Sequence, residues 1–279
     1  MLITPFDPWK SKLCTCPKKY SFSPYTGCSH ACIYCYITSY IPNAFKVRLK
    51  KDLFRRLKKE LHKVDTFISM SNSSDPYVPE ERDFKVTRKC LRIFKENKIK
   101  VLIITKSDIV ARDVDLLKDM MAAVSITITT LDNKKAAVIE PNAPSPLKRL
   151  KALEKLHRHG IPCSVRLDPI IPGINDEEIE EIVDAVSSYA NHIVASTIKP
   201  RNDSIKRLKK VMNVEKYEWI RYGNSFYLPR ELRFDLLKRV EKACRKHGLS
   251  FAACREGYKF KAKSCDGSHL IETRVIKDK

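Results

Sequence analysis

The sequence predicts an α/β protein built as a partial (βα)6 barrel with a C-terminal helical and basic extension. Two observations lead to this fold class. Six short β-rich runs alternate with segments of helical periodicity between residues 20 and 200, and each parallel connection needs a crossover of a dozen or more residues. Polar residues also follow each run, as expected where the carboxyl ends of parallel strands share one rim.

The predicted elements follow from the hydrophobic periodicity. Strands are expected at 20–24, 66–71, 101–105, 124–130, 162–167 and 192–197. Helices are expected at 53–64, 86–97, 109–121, 146–159 and 176–189, and basic helices at 203–212 and 231–247. These elements divide the chain into an N-terminal basic segment (1–19), the barrel (20–200) and an extension that packs on the barrel (201–279).

The composition argues against a membrane-spanning protein and against a secreted protein built on disulfide bonds. The chain has 279 residues and is 43% hydrophobic, so it can fill a real core. No apolar run approaches the roughly 20 residues that span a bilayer, and the start lacks the pattern of a signal peptide, so no membrane association and a cytoplasmic location are expected. Ten cysteines in such a chain favour metal ligation or redox chemistry over a disulfide framework.

The positive charge is concentrated in two flanks. Residues 1–64 carry 13 Lys and Arg against 3 Asp and Glu, and residues 199–279 carry 22 against 10. The middle of the chain, 65–198, is nearly balanced at 19 against 20. If the termini lie close together, the flanks form one basic face suited to a phosphate backbone. The alternative is a lysine-rich surface without a polyanionic partner.

Three cysteines form the most specific motif. Cys28, Cys32 and Cys35 lie on one predicted loop after the first strand. Thiolates are the ligands of iron–sulfur clusters, and three of them leave one iron of a [4Fe–4S] cluster without a protein ligand, open to a cofactor. A zinc site that includes His30 is the alternative, but structural zinc sites usually pair two separated ligand clusters.

At this point the sequence resembles the spore photoproduct lyase-like group of the radical S-adenosylmethionine (radical SAM) enzymes, and an archaeal member is expected. The resemblance rests on YTGCSHACIYCY at 25–36, SDPYVPE at 74–80, TKS at 105–107, EPNAP at 140–144 and PIIPG at 169–173. It implies a radical SAM barrel, a [4Fe–4S] cluster, and reductive cleavage of S-adenosylmethionine to a 5′-deoxyadenosyl radical. It also implies a ferredoxin- or flavodoxin-like electron donor.

The resemblance further implies cofactor contacts. Ser73, Ser74 and Asp75 are expected near the methionine amino group, and Lys106 near its carboxylate. Thr127 or Thr129 is expected at the ribose or carboxylate, and Tyr34 offers an aromatic face for the adenine. Arg166 is a further candidate contact. The alternatives are a solvated Lys106, threonines chosen for β propensity, and an Arg166 salt bridge that merely orders a loop.

The sequence departs from the lyases proper at one position. They carry a hydrogen-donating cysteine in the loop after the second strand, whereas residues 71–74 here read Ser-Asn-Ser-Ser. Repair of thymine dimers is therefore disfavoured, and Cys254 and Cys265 are the candidate hydrogen donors. Cys14, Cys16, Cys254 and Cys265 are alternatively the ligands of a second iron–sulfur cluster or a zinc ion if the two flanks meet.

These features predict an enzyme that modifies a nucleic acid, RNA in preference to DNA. Trp219, Tyr222 and Tyr227, interleaved with Arg221 and Arg230, are candidates for stacking on unpaired bases. Packing of these aromatic rings in the core is the competing interpretation. Two other functions stay open: a radical SAM enzyme that acts on a peptide or a small metabolite, and a non-catalytic iron–sulfur or zinc protein that binds RNA.

Overall fold

An open sheet of eight strands organises the structure, a computed structural model that describes residues 1–6, 11–70 and 73–273. The strands found in these residues are β1 Thr4–Pro5, β2 Tyr20–Phe22, β3 Tyr25–Thr26, β4 Arg48–Leu49, β5 Phe67–Met70, β6 Lys100–Thr105, β7 Ala122–Thr127, β8 Cys163–Ile170, β9 His192–Thr197, β10 Ile220–Tyr222, β11 Ser225–Tyr227 and β12 Ser250–Ala253. The order in the main sheet is β1-β2-β5-β6-β7-β8-β9-β12.

Helices connect successive strands. The α-helices are α1 Leu53–Glu60, α2 Glu81–Phe84, α3 Val86–Glu96, α4 Val114–Leu117, α5 Asn133–Ile139, α6 Pro146–Arg158, α7 Ile179–Val186, α8 Asn202–Leu208 and α9 Arg230–Lys246. Short 3-10 turns occupy Ile37–Ser39, Leu61–Lys63, Asp108–Asp113, Asp176–Glu178, Val214–Lys216 and Ser268–Thr273. In the part of the chain described, no helix has the length and apolar character needed to cross a membrane.

The main sheet is parallel from β2 to β12, and β1 is antiparallel to β2 at one edge. All residues of β7 and β9 are buried, as expected for strands covered on both faces. The main core includes Leu91 of α3, Leu153 of α6 and Val240 of α9. Leu270 and Ile271 of the last 3-10 turn form a separate apolar cluster with Leu102 and Ala123 of the sheet. The α/β fold predicted from the sequence is confirmed.

The C-terminal region contributes more to the sheet than the predicted extension. β12 pairs in parallel with β9, with Phe251 opposite Ile193, and α9 is the crossover helix that precedes it. The sheet therefore continues past residue 200, and the division into segments 1–19, 20–200 and 201–279 stays a prediction. The run at 251–254 stands out in the sequence after the second basic helix, but the predicted alternation stops at six strands and does not assign it to the sheet.

Two predicted elements are shorter in the structure. The strand expected at 124–130 is β7, Ala122–Thr127, and the residues that follow it turn towards the rim. The helix expected at 109–121 is a 3-10 turn, Asp108–Asp113, followed by the four-residue α4. Ser107 caps this turn, since its Oγ accepts a hydrogen bond from Ile109 N at 3.3 Å.

Candidate active site

The carboxyl ends of the parallel strands bring distant polar residues to one rim. Residues 73–75 come shortly after β5, Lys106 directly follows β6, and Cys254 directly follows β12. Ser23, just after β2, places its Oγ 3.2 Å from Ser73 Oγ. The rim predicted from the sequence is thus a shared edge of the sheet. The predicted stretch 71–74 begins with Ser71 and Asn72, which lie outside the described residues.

The loop with Cys28, Cys32 and Cys35 runs between β3 and β4, whose antiparallel pairing closes its base. Cys28 N donates to Ala44 O at 2.8 Å, and Cys35 N donates to Cys32 O at 3.1 Å. Gly27 has a φ of +81°, and a Cβ atom there would lie 2.3 Å from the carbonyl oxygen of Lys46. The loop therefore needs glycine at this position.

Helix α8 holds the cysteine loop from outside. Arg207 Nε donates to Ile33 O at 2.8 Å, and Arg207 Nη2 donates to Cys35 O at 2.9 Å. Thr38 is also hydrogen-bonded to Asp203 of the same helix. The second basic flank is therefore in direct contact with the loop that the first flank carries.

The three cysteines of the loop have free thiols. Within the described residues, no group of three or more His, Cys, Asp or Glu side chains is arranged so that it could hold a metal ion. Burial raises the pKa of Cys32, and it raises the pKa of Cys35 to about 11. The thiols of Cys32 and Cys35 are accordingly protonated without a metal, and binding of iron would release their protons.

Asp75 connects three parts of the rim through its carboxylate. Oδ1 accepts hydrogen bonds from Tyr77 N at 2.8 Å and Thr105 Oγ1 at 2.6 Å, and Oδ2 accepts one from Lys106 N at 2.8 Å. His30 Nδ1 of the cysteine loop lies 3.5 Å from Oδ2. Burial alone would raise the pKa of Asp75, but His30 and these hydrogen bonds outweigh it and lower the pKa. Asp75 therefore positions the rim loops, and its contact with the amino group stays a prediction.

Lys106 places its ammonium group beside the cysteine loop. Its Nζ lies 5.5 Å from the centroid of the Tyr34 ring. Burial alone would lower the pKa of Lys106, but Cys32 and Glu140 outweigh burial and raise it. The side chain is therefore a charged donor at the rim, suited to an anionic group such as a carboxylate.

Tyr34 belongs to a buried network that the sequence only partly revealed. Its hydroxyl donates to Glu140, and Glu140 Oε2 lies 2.5 Å from Arg149 Nη1 of α6. Glu140 and Arg149 are each 1% exposed. Glu140 belongs to the motif at 140–144, whereas the sequence analysis did not include Arg149 of α6, whose pairing with Glu140 arises from packing. The network fixes the Tyr34 ring next to Lys106.

Arg166 and Asp168 form an ion pair within β8. Arg166 Nη2 lies 2.7 Å from Asp168 Oδ2, and Ser196 Oγ of β9 donates to Asp168 Oδ1 at 2.5 Å. Burial alone would raise the pKa of Asp168, but Arg166 and Lys199 hold it well below its usual range. The pair orders the rim between two strands, and a cofactor contact by Arg166 stays a prediction.

The match to a family model decides the identity of this fold. The model of the radical SAM superfamily matches residues 22–186, more than half of the chain. The chain belongs to the radical SAM superfamily. Membership makes the chain an enzyme and implies a [4Fe–4S] cluster, S-adenosylmethionine and a reductant.

Comparisons with known proteins agree with this radical SAM fold. An uncharacterised protein of Methanocaldococcus jannaschii, MJ0683, is 35% identical over 180 residues, which cover 62% of this chain and 68% of that protein. Other curated relatives are matched over little more than half of their length. Spore photoproduct lyase, solved with bound AdoMet and a dinucleoside spore photoproduct, has a TM-score of 0.67 at 16% identity and covers 86% of this chain and 76% of its own. SuiB of Streptococcus suis, solved with its precursor peptide SuiA, has a TM-score of 0.57 at 17% identity, over 84% of this chain and 48% of its own.

The residues present fit the cofactors that the radical SAM family implies. Cys28, Cys32 and Cys35 supply three thiol donors on one loop, the chemistry that an iron–sulfur cluster uses. The buried hydroxyls of Ser74 and Thr129 have no hydrogen-bond partner among the described residues. Because buried polar groups are normally paired, these two hydroxyls are free to bond to a polar ligand, and their contact with the cofactor stays a prediction. Thr127 is also buried, and its role stays a prediction.

Two groups of residues predicted from the sequence lie outside the cysteine loop: the cysteines of the possible second metal site and the aromatic residues proposed for base stacking. Cys16 and Cys265 come together, with 3.3 Å between their Sγ atoms. Of the aromatic residues proposed for stacking, Tyr227 is buried and Trp219 donates its indole N–H to Val214 O at 2.7 Å. Tyr222 is 49% exposed. Core packing thus accounts for Tyr227, and Tyr222 is the accessible ring.

Proposed function

We propose that this radical SAM enzyme modifies a nucleic acid, RNA in preference to DNA, which the two basic flanks hold beside the rim. The observation that carries the proposal is the contact between the flanks at the cysteine loop. Arg201 Nη1 donates to Ser39 Oγ at 2.6 Å, and Arg207 donates to the carbonyl oxygens of the loop. Two segments of strong positive charge therefore meet next to the candidate active site.

A polyanionic substrate accounts for this concentration of charge. The first flank carries 13 basic against 3 acidic residues, and the second carries 22 against 10. Several of their basic side chains are exposed, among them Lys46, Lys206, Lys210, Arg221 and Arg230. Such a surface attracts a phosphate backbone and releases its counterions on binding.

The hairpin of β10 and β11 supplies an aromatic face near the rim. Phe226 N donates to Pro200 O at 2.9 Å, which anchors the hairpin to the segment after β9. The exposed Tyr222 ring packs edge-on against Tyr227, with 5.0 Å between the ring centroids. Arg221 lies next to it and is exposed. An aromatic ring beside a cation is suited to an unpaired base, as single-stranded RNA offers.

When bound, S-adenosylmethionine together with the cluster would supply the radical chemistry of the reaction. The protein binds and orients this cofactor. We expect Lys106 to meet the methionine carboxylate, Ser74 and Thr129 to contribute hydroxyls, and Tyr34 to contribute a ring that Glu140 holds in place. Asp75 keeps the loops of the rim in register.

The likeness to spore photoproduct lyase supports a nucleic acid substrate, because that enzyme was solved with a dinucleoside. At 16% identity the likeness shows the fold alone. Residues 71–74 contain no thiol, so thymine-dimer repair remains disfavoured. A peptide substrate is the second candidate, favoured by the likeness to SuiB bound to its precursor peptide.

Binding to tRNA at a series of salt concentrations tests the proposed substrate class. The logarithm of the affinity is expected to fall linearly with the logarithm of the salt concentration. Arg221→Ala is expected to reduce the slope by about 1, the value for one phosphate contact. Tyr222→Ala is expected to weaken binding roughly 5- to 150-fold, the range for one lost base stack, without changing the slope.

The matched control is Arg92→Ala, which removes an exposed arginine from α3 in the balanced part of the chain. Its affinity and slope are expected to equal those of the wild type. Binding that is undetectable at low salt, or equal losses in all three variants, would contradict the nucleic acid proposal. Release of 5′-deoxyadenosine that a peptide stimulates and RNA does not would establish the second candidate.

A further inference from the structure

Four cysteines that the proposed reaction does not use lie in one region. Cys14 and Cys16 precede β2, Cys254 directly follows β12, and Cys265 lies eleven residues further along the chain. Cys265 donates its thiol to Cys16, with 3.3 Å between the Sγ atoms. Cys16 raises the pKa of Cys14, and Cys254 adds to the rise at both Cys14 and Cys265, which places all four thiols in one neighbourhood. We call these residues the four-thiol group.

The backbone around the four-thiol group is fixed by contacts between the two flanks. Lys19 and Asp266 form a buried ion pair, with 2.5 Å between Nζ and Oδ2. A Cβ atom on Gly257 would lie 3.4 Å from a side-chain carbon of Leu13, so segment 11–19 runs beside the segment after β12. The thiols are therefore held together by residues from both ends of the chain.

Core packing does not account for this convergence. Cys90, Cys163 and Cys244 lie in the main apolar core, where free cysteine behaves as a small hydrophobic residue. In the four-thiol group the cysteines instead lie next to one another, and Cys14, Cys16 and Cys254 are only partly buried. Sulfur donors in such number select zinc or iron–sulfur clusters.

The spacing favours a single metal ion. Zinc–sulfur bonds of about 2.3 Å in a tetrahedron place neighbouring sulfurs about 3.8 Å apart. The separation of 3.3 Å between Cys16 and Cys265 is close to that value. In a four-iron cluster each thiolate binds a different iron, so its ligands stand further apart.

We propose that the four-thiol group binds one Zn²⁺ ion and so ties the N-terminal segment to the end of β12. The four thiols lose their protons to solvent as their sulfurs bind the ion. Among the described residues, no group of three or more His, Cys, Asp or Glu side chains is arranged so that it could hold a metal ion as it stands. The same is true of Cys28, Cys32 and Cys35, the cysteines that match the family motif. Cys254 also contacts Arg166, so its side chain has to turn from the rim towards the ion. A zinc thiolate carries no S–H hydrogen, which removes Cys254 and Cys265 as hydrogen donors.

Metal analysis of the full chain, purified without oxygen, tests the proposal. In the variant Cys28→Ala/Cys32→Ala/Cys35→Ala, one zinc per chain is expected to remain while iron is lost. In Cys16→Ser/Cys265→Ser, zinc is expected to fall below one tenth per chain while iron stays. The matched control, Cys90→Ala/Cys244→Ala, removes two core thiols and is expected to keep both metals.

A second measurement uses the wild-type protein, so that the proposal can be tested even if a cysteine variant fails to fold. Protein loaded with Zn²⁺ alone is treated with an alkylating agent, with and without a chelator, and the labelled cysteines are mapped by mass spectrometry. Zinc is expected to protect all four thiols at least tenfold against alkylation. Equal labelling with and without chelator, iron in the triple variant instead of zinc, or a disulfide between Cys16 and Cys265 would overturn the proposal.

Discussion

Two hydroxyl groups at the rim, those of Ser74 and Thr129, allow the predicted cofactor contact to be tested at the scale of single residues. Each lies buried at the rim without a hydrogen-bond partner among the described residues. An unpaired buried hydroxyl does not stabilise the fold, since it has lost its water and gained nothing in return. Removal of either hydroxyl is therefore expected to weaken cofactor binding without lowering the free energy of unfolding.

Ser74→Ala is expected to weaken the binding of S-adenosylmethionine about fivefold, the equivalent of one neutral hydrogen bond of about 1 kcal/mol. Its free energy of unfolding is expected to stay equal to that of the wild type or to rise slightly. Isothermal titration calorimetry with the cluster-loaded protein, together with urea unfolding, measures both quantities.

Ser125→Ala is the control for this prediction. Ser125 is also a buried hydroxyl without a described partner, on the same strand face as Thr127 but further from the rim. Its substitution is expected to leave cofactor binding unchanged. An equal loss of affinity in both variants would show that Ser74 acts through the fold and not through contact with the cofactor.

Sequence reasoning reached some residues of the site and missed others for a physical reason. The cysteines, Ser74 and Lys106 belong to short contiguous motifs, so the chain itself displays them. Arg149 pairs with Glu140 from the next helix, and that partnership exists only after packing. The role of Asp75 likewise became visible only through its bonds to Thr105 and Lys106.

At the scale of an element, the cysteine loop depends on a close approach of its own backbone. Gly27 lies in the left-handed region, and Lys46 O occupies the space where a side chain would begin. Most predicted helices differ from the observed ones only at their ends, because their apolar stripes are long, whereas the helix expected at 109–121 is mostly a 3-10 turn. The loop geometry was not predictable, since the motif gives the spacing of thiols but not what packs against them.

Gly27→Ala is expected to reduce the iron content of the anaerobically loaded protein by more than half, because the added Cβ atom collides with a backbone oxygen that cannot easily move. Gly160→Ala is the control: its φ is +67°, but nothing lies within 4 Å of the added carbon. It is expected to lose about 1 kcal/mol of stability from backbone strain alone and to keep its iron. Iron analysis and thermal unfolding of both variants test this. Equal loss of iron in the two variants would show that backbone strain, and not the collision with Lys46 O, is responsible.

At the scale of the whole molecule, the sheet includes strands from both basic flanks. β2 and β12 lie near its opposite edges, and the helix α9 before β12 packs against α7 with Leu236, Leu237 and Val240 in the core. The alternation of strands and helices predicted the architecture, whereas the predicted boundary at residue 200 divides a continuous sheet. A four-residue strand gives too weak a periodic signal to be found without its partner.

A fragment that ends at residue 200 is therefore expected not to fold. It would expose the edge of β9 and the apolar surface that α9 and β12 cover in the full chain. Circular dichroism during urea titration should show no cooperative transition in the fragment and one in the full chain. A cooperative transition in the fragment would establish that the chain up to residue 200 folds independently.

The ion pair of Lys19 and Asp266 joins residues that are 247 positions apart. A ribosome that adds about 5 to 20 residues per second needs roughly 12 to 50 s between the two. Throughout that interval the N-terminal segment is without its partner, and the thiols of Cys14 and Cys16 are open to oxidation or to other metals. Assembly of this region is therefore a late event in synthesis, complete only after Asp266 has left the ribosome.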